Sequence, residues 1–207
     1  MTARLSCVGC IANPMAGKDI RRLVAYSSRI DNQEKVNIVR RILLGLESAG
    51  VGEVLLMPDT YRIAPKALEG IHQRLQLRAR ILDMDVLGDA KDSQQATQSM
   101  REAGAQCLLV LGGDGTHRVV AKASGTVPLV AISTGTNNVF PQMLEGTVAG
   151  LAAGLYARHA MLLDGVVLPT KRLEIWRDGA LQDIALVDVA VSTQRFVGAR
   201  ALWDVAD

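Results

Sequence analysis

The stretch Cys107-Leu108-Leu109-Val110-Leu111-Gly112-Gly113-Asp114-Gly115-Thr116-His117 decides the fold. Its apolar run is too short for a helix and closes on a glycine pair. It reads as a buried strand, and the small polar residues behind it read as a turn into a helix. The same pattern recurs along the chain in the apolar runs Leu5–Ala12, Val54–Met57, Ala79–Val86 and Pro128–Ser133. Amphipathic stretches lie between them. Val36, Val39, Ile42, Leu43 and Leu46 share one helical face, with Arg40, Arg41 and Glu47 opposite. Ser93–Ala103 reads as a polar helix capped by Asp92 or Ser93. Strands alternating with helices predict a doubly wound parallel α/β domain over residues 1–158.

From residue 159 the pattern changes. Leu162–Leu168, Arg172–Trp176 and Ile184–Val191 are strand-like, and Arg177-Asp178-Gly179 supplies an Asp-Gly hairpin turn. Residues 159–207 therefore read as the start of an all-β domain, with the chain stopping two or three strands into it. So few strands barely bury a core. Their open edges predict association into a homo-oligomer.

Composition removes several function classes. The chain has 207 residues, and 23 Lys and Arg against 21 Asp and Glu leave a net charge of +2, which lacks the basic excess of a nucleic-acid binder. Aromatic residues are 3%, too sparse for a base-stacking platform. Cys7 and Cys10 have CxxC spacing, but on a strand they point to opposite faces and cannot clamp one metal. With Cys107 they read as buried thiols of a reducing compartment. No apolar run approaches the ~20 residues of a membrane span, so the expected setting is cytoplasmic, with no membrane partner.

Open parallel sheets bind ligands beyond the carboxyl ends of their strands. Three such ends are unusual here: Asn13-Pro14-Met15-Ala16-Gly17-Lys18-Asp19, Gly112-Gly113-Asp114-Gly115-Thr116-His117 and Ser133-Thr134-Gly135-Thr136-Asn137-Asn138. Each joins glycine to small polar residues, and such loops present backbone N–H groups to an anion. Three at one sheet edge point to a polyphosphate, hence a nucleotide. Gly17-Lys18 is not a Walker A loop, and Gly113-Asp114-Gly115 lacks the third glycine of the dinucleotide motif. Asp114 would repel phosphate, so it needs another reason to be there. It can accept a proton from an attacking hydroxyl or hold Mg²⁺, and the plain alternative is a structural carboxylate bonded to loop amides. Other candidates are the basic run Lys18–Arg41, which either steers an anion or forms a solvated helix face, and Asp83 with Asp85, sharing a strand face. His117 sits at the helix start, while His72 and His159 read as surface residues.

The set Asn13-Pro14, Gly17-Lys18 and Gly112-Gly113-Asp114-Gly115-Thr116 resembles the superfamily of NAD kinases, diacylglycerol kinases and 6-phosphofructokinases. Asn13 to Arg22 and Thr134-Gly135-Thr136-Asn137-Asn138-Val139-Phe140-Pro141 resemble its ATP–NAD kinase-like AcoX branch, linked to acetoin catabolism. The resemblance implies an ATP- and Mg²⁺-dependent kinase transferring phosphate to a hydroxyl of NAD or a related nucleotide. A lipid-type kinase and an inactive nucleotide-binding regulator are the alternatives. It implies Asp114 as the base and Asn13, Gly112, Gly113, Gly115, Thr116, Thr134, Thr136, Asn137 and Asn138 around the nucleotide. It also implies an Asn-Glu pair on an early strand of the β domain. Asp188 holds the glutamate's place there, and Val187, which offers NAD no hydrogen bond, holds the asparagine's.

Overall fold

The structure is a computed structural model and describes residues 5–17, 30–135, 137–159 and 165–191. Five parallel strands, β1 (Cys7–Ala12), β2 (Glu53–Leu56), β3 (Arg78–Ile81), β4 (Cys107–Gly112) and β5 (Leu129–Ser133), form one sheet in the order β3-β2-β1-β4-β5. β1 pairs with β2 through Val8 and Val54 and with β4 through Val8 and Cys107. The order reverses there, so the crevice beyond Ala12 and Gly112 is the switch point at which such sheets bind ligands.

Both faces of the sheet are covered, which explains the unbroken apolar runs. Val8, Cys10, Leu109 and Leu111 pack towards α1 (Asn32–Ser48) and α5 (Gly146–His159). Cys7, Ile11, Leu108 and Val110 pack towards α3 (Ala90–Glu102) and α4 (Asp114–Ala123), where Met100 and Val120 meet them. Cys7 and Cys10 thus face opposite layers, as the strand period requires. Burial pushes the thiols of Cys10 and Cys107 up to about 12, so both act as apolar filling. The predicted stripe Val36, Val39, Ile42, Leu43 and Leu46 is the buried face of α1. No helix among the described residues is long and apolar enough to cross a membrane.

Some boundaries differ from the expectation. β3 stops at Ile81 because its partner β2 ends at Leu56, leaving Leu82–Val86 without a ladder. Asp83 and Asp85 are therefore exposed loop residues and do not share a strand face. The polar helix starts at Ala90, before Ser93, because Asp89 caps it and accepts from the Lys91 N–H. Asp92 lies inside the helix and accepts from the N–H groups of Leu87 and Gly88. Between β2 and β3 the chain forms α2 (Ile63–Leu68) and a 3-10 turn, His72–Arg74, that leaves His72 exposed.

Beyond the sheet, β6 (Leu173–Arg177) and β7 (Ala180–Ala185) form the expected hairpin, with Asp178 and Gly179 at φ 52° and 76°. Those positive angles are what an Asp-Gly turn supplies. Residues 165–168 form no strand, and Leu162–Asp164 lie outside the described residues. β7 ends at Ala185, opposite the first residue of β6, and 186–191 form no strand and have no ladder partner among the described residues. The Asp183 carboxylate takes Arg118 and, at 2.6 Å, Lys122 of α4, tying the hairpin to that helix. Lys122 first, then the Ile184 N–H and Arg118, hold its carboxyl well below the usual range.

The tightest packing is between α1 and α5. Gly146, Gly150 and Gly154 recur every four residues along α5 and let it lie against α1 around Gly45. A Cβ at Gly150 would stand 2.4 Å from the carbonyl oxygen of Ile42, and one at Gly45 2.4 Å from that of Thr147. Alanine in a helix interior ordinarily gains ~0.5–1 kcal/mol over glycine. At Gly150 the overlap with backbone reverses the sign, because overpacking costs about 1–3 kcal/mol. Gly150→Ala should thus lower Tm by several degrees in thermal melts, and an unchanged or raised Tm would contradict this packing.

Candidate functional site

The loops after β1, β4 and β5 meet at the switch point and enclose a cavity of about 640 Å³. Asn13, Gly17, Gly113, Asp114, Gly115, Thr116, Asn137 and Asn138 all line it. The Asn13 side chain builds two edges at once. Its Nδ2 donates to Thr116 Oγ1 at 2.9 Å across the crevice, and its Oδ1 accepts the Met15 N–H at 2.8 Å.

The glycines after β4 each serve a neighbour. A Cβ at Gly112 would stand 2.5 Å from Thr116 Cβ, so glycine lets that threonine fold back over the strand end. A Cβ at Gly113 would stand 2.8 Å from Asn138 Oδ1, so glycine admits the third loop. A Cβ at Gly115 would meet nothing within 4 Å, which leaves open space above the helix start. Gly113 caps α4 without a side-chain acceptor, so the first turn keeps its positive dipole end towards the cavity.

Asp114 is the single charged side chain on the described wall. Its Oδ1 accepts the N–H groups of Phe140 at 2.8 Å and Val139 at 3.1 Å, and its Oδ2 lies 3.1 Å from the same Val139 nitrogen. The carboxylate thus holds loop amides and also faces the cavity. Asn138 is fixed from behind, its Nδ2 donating to Ser133 Oγ at 2.7 Å and to Gly135 O at 3.2 Å. Thr134 is buried, with its N–H on Gly112 O and its hydroxyl unpartnered among the described residues. Like Gly112, it supports the wall from beneath.

Three assignments need correction or stand apart. Thr136 lies outside the described residues, as do Lys18–Arg29 of the basic run. Asp188 is exposed, off any strand and absent from the cavity wall, because β7 ends three residues earlier. The described end of the basic run is not a free cationic face. Arg40 donates to the carbonyls of Lys66, Ala67 and Glu69, Arg41 pairs with Glu34 and Glu145, and Lys35 is only 1% exposed.

Lys35 is the functional residue that pattern reading missed. Its Nζ donates to Asn13 O at 2.9 Å, Ala16 O at 2.8 Å and Asn32 Oδ1 at 3.0 Å, with Pro14 O at 3.4 Å. The signal was available: Lys35 stands four residues before Val39 and seven before Ile42, in phase with the buried stripe. A second chamber of about 290 Å³ opens on the other side of the same loop. It shares Asn13 and Met15 with the first and adds Asp59, Thr60 and Ser93. Asp59 accepts the N–H groups of Tyr61 and Ile63, while burial pushes its carboxyl up. A separate apolar cavity of about 540 Å³ lies between β5, α5 and residues 166–172.

His117 is fully buried, its Nδ1 2.9 Å from Gly113 O and its Nε2 3.2 Å from Val110 O, with the Phe140 ring 5.7 Å away. It braces the loop from below and does not face the cavity wall. Burial holds its pKa below the ordinary 6.5, against the two carbonyls and Asp114, which act the other way. The unfolded chain therefore takes up this proton first as pH falls below about 6.5, and stability is lost over that range. His117→Gln removes this contribution. Melts at pH 7 and pH 5 should show a larger loss of Tm in the parent than in the variant, and equal losses would contradict the assignment.

Comparison with known proteins agrees with this geometry. Residues 8–160 match the family model of the ATP-NAD kinase N-terminal domain. Residues 171–207 match that of the acetoin catabolism protein X C-terminal domain. The chain is 42% identical over 205 residues to acetoin catabolism protein X of Cupriavidus necator, an alignment covering 95% of this chain and 57% of that protein. The chain thus spans a little over half the length of that curated relative. No solved structure matches it. With the three loops at the switch point of a five-stranded parallel sheet, the chain belongs to the ATP-NAD kinase-like family, in the branch of acetoin catabolism protein X.

Proposed function

We propose that this chain carries the nucleotide site of an ATP-dependent phosphotransferase of the NAD kinase type, with Asp114 as the base that activates the accepting hydroxyl. The observation that carries this reading is the cavity itself. Loop amides, an uncapped helix start and three neutral side-chain amides surround one carboxylate held at its edge. The triphosphate would lie along the first turn of α4, and the smaller chamber beside Asn13 and Met15 would take the sugar or base.

The transfer follows from the position of Asp114. The acceptor oxygen attacks the γ-phosphorus, its proton passes to Asp114 Oδ2, and the bond from that phosphorus to the β,γ-bridging oxygen breaks to release ADP. The Phe140 N–H holds Oδ1 and the Val139 N–H lies between both oxygens, which leaves Oδ2 the less tightly bonded oxygen to take the proton. Among the described residues no three His, Cys, Asp or Glu side chains gather to hold a metal. Mg²⁺ would arrive on the phosphates, which supply most of its oxygens, with the Asn137 amide oxygen on the cavity wall beside it. Bound there, the ion would neutralise charge on the β- and γ-phosphates. The acceptor is a hydroxyl compound, and the relative's name directs the first trials to metabolites of acetoin breakdown alongside NAD.

A second reading has its own observation. Because Asp114 already bonds two loop amides, it can serve the fold alone, in a protein that binds nucleotide without transferring phosphate. Asp114→Asn separates the two. It keeps an oxygen for the Phe140 N–H and removes the base, so kcat should fall ~10²- to 10⁴-fold with ATP affinity kept. Wild-type turnover in the variant would contradict the base. ATP binding without transfer to any hydroxyl by the parent protein would favour the second reading.

A further inference from the structure

The loop Asn13–Gly17 has a shape that its Asn13 turn and Gly17 only partly explain. It makes one weak internal backbone bond, Ala16 N to Asn13 O at 3.3 Å, and Gly17 turns it at φ 88°. The carbonyls of Asn13, Pro14 and Ala16 nevertheless converge on one point. That point is the ammonium of Lys35, on the first turn of α1 and 99% buried. Burying an ammonium is costly unless it is fully hydrogen-bonded. Here it is held by the carbonyls of the loop that lines the cavity and by Asn32 Oδ1.

We propose that Lys35 is the positioning residue of this loop, a built-in cation that gathers its carbonyls and pre-forms the nucleotide wall before any ligand arrives. Drawing these oxygens onto Nζ fixes the course of the backbone from Asn13 to Gly17 along the cavity wall. Asn13 is thereby set at the angle from which Nδ2 reaches Thr116. Where another phosphate loop relies on a run of glycines to adopt its cradle, this one is drawn into shape from beneath. The inference rests on the nucleotide reading of the cavity, since it is ATP affinity that a pre-formed wall raises.

The test is removal and chemical rescue. Lys35→Ala deletes the equivalent of n-propylammonium from a closed space. The expected result is an ATP affinity at least ~10-fold weaker, from loss of preorganisation, restored in part by millimolar n-propylammonium. Equal concentrations of sodium or tetramethylammonium, which cannot enter, should not restore it. Undiminished ATP affinity in the variant would overturn the proposal, as would a folded variant that weakens but gains nothing from the amine. Should the variant not fold, the parent protein decides. In ¹H–¹⁵N spectra without nucleotide, the Lys35 ammonium should appear as a slowly exchanging signal that ATP leaves in place. Its appearance only after ATP is added would show a loop formed by the ligand and overturn the proposal. Failure of the nucleotide reading looks different: no ATP binding by the parent protein, with the ammonium signal still present.

Discussion

The hydrogen bond from Asn13 Nδ2 to Thr116 Oγ1 spans the crevice between β1 and β4, and the site depends on it. Strand order reverses at that pair, so the helices after the two strands leave on opposite faces of the sheet. The crevice is left open by topology. It becomes a cavity only because the two loops are joined across its mouth. Thr116 can reach Asn13 because Gly112 has no side chain, and Asn13 is presented correctly because its carbonyl is held by Lys35. The third loop closes on this pair through Asn138 over Gly113 and through the amides on Asp114.

The electrostatics of the cavity are unusual for a phosphate site. The described wall carries one negative side chain and no positive one. Among the described residues, attraction for an anion comes from backbone N–H groups and the start of α4, which act over short range. Cations lie nearby but are committed elsewhere. Lys35 holds the first loop, and Arg118 with Lys122 hold the hairpin through Asp183. The hairpin is thereby fastened to the helix that carries Asp114.

Much of this was legible in the sequence. Strands buried on both faces must be apolar throughout, which is why β1 and β4 stood out, and glycine next to small polar residues marks loops that need close backbone approach. Loop lengths and ladder ends were not legible, because β3 stops where β2 stops and no local signal at Leu82 says so. Asp188 was expected on a strand, but β7 ends at Ala185 and no described residue pairs with the segment after it. Lys35 was hidden within a basic run that reads either as steering an anion or as a solvated helix face, although its phase on α1 places it on the buried stripe. The spacing of Gly146, Gly150 and Gly154 carried the close contact of α5 with α1, in a segment whose apolar character alone says little about its partner.

The central claim is that three loops from three strand ends act as one nucleotide site. Titration of ¹⁵N-labelled protein with ATP, followed by amide shifts, tests it directly. The account predicts that Met15, Gly113, Gly115, Thr116, Asn137 and Asn138 shift together along one binding curve, while amides lining the apolar cavity beside β5 and α5, other than Phe140 whose N–H holds Asp114, stay in place. Shifts confined to that apolar cavity, or separate curves for the three loops, would contradict it.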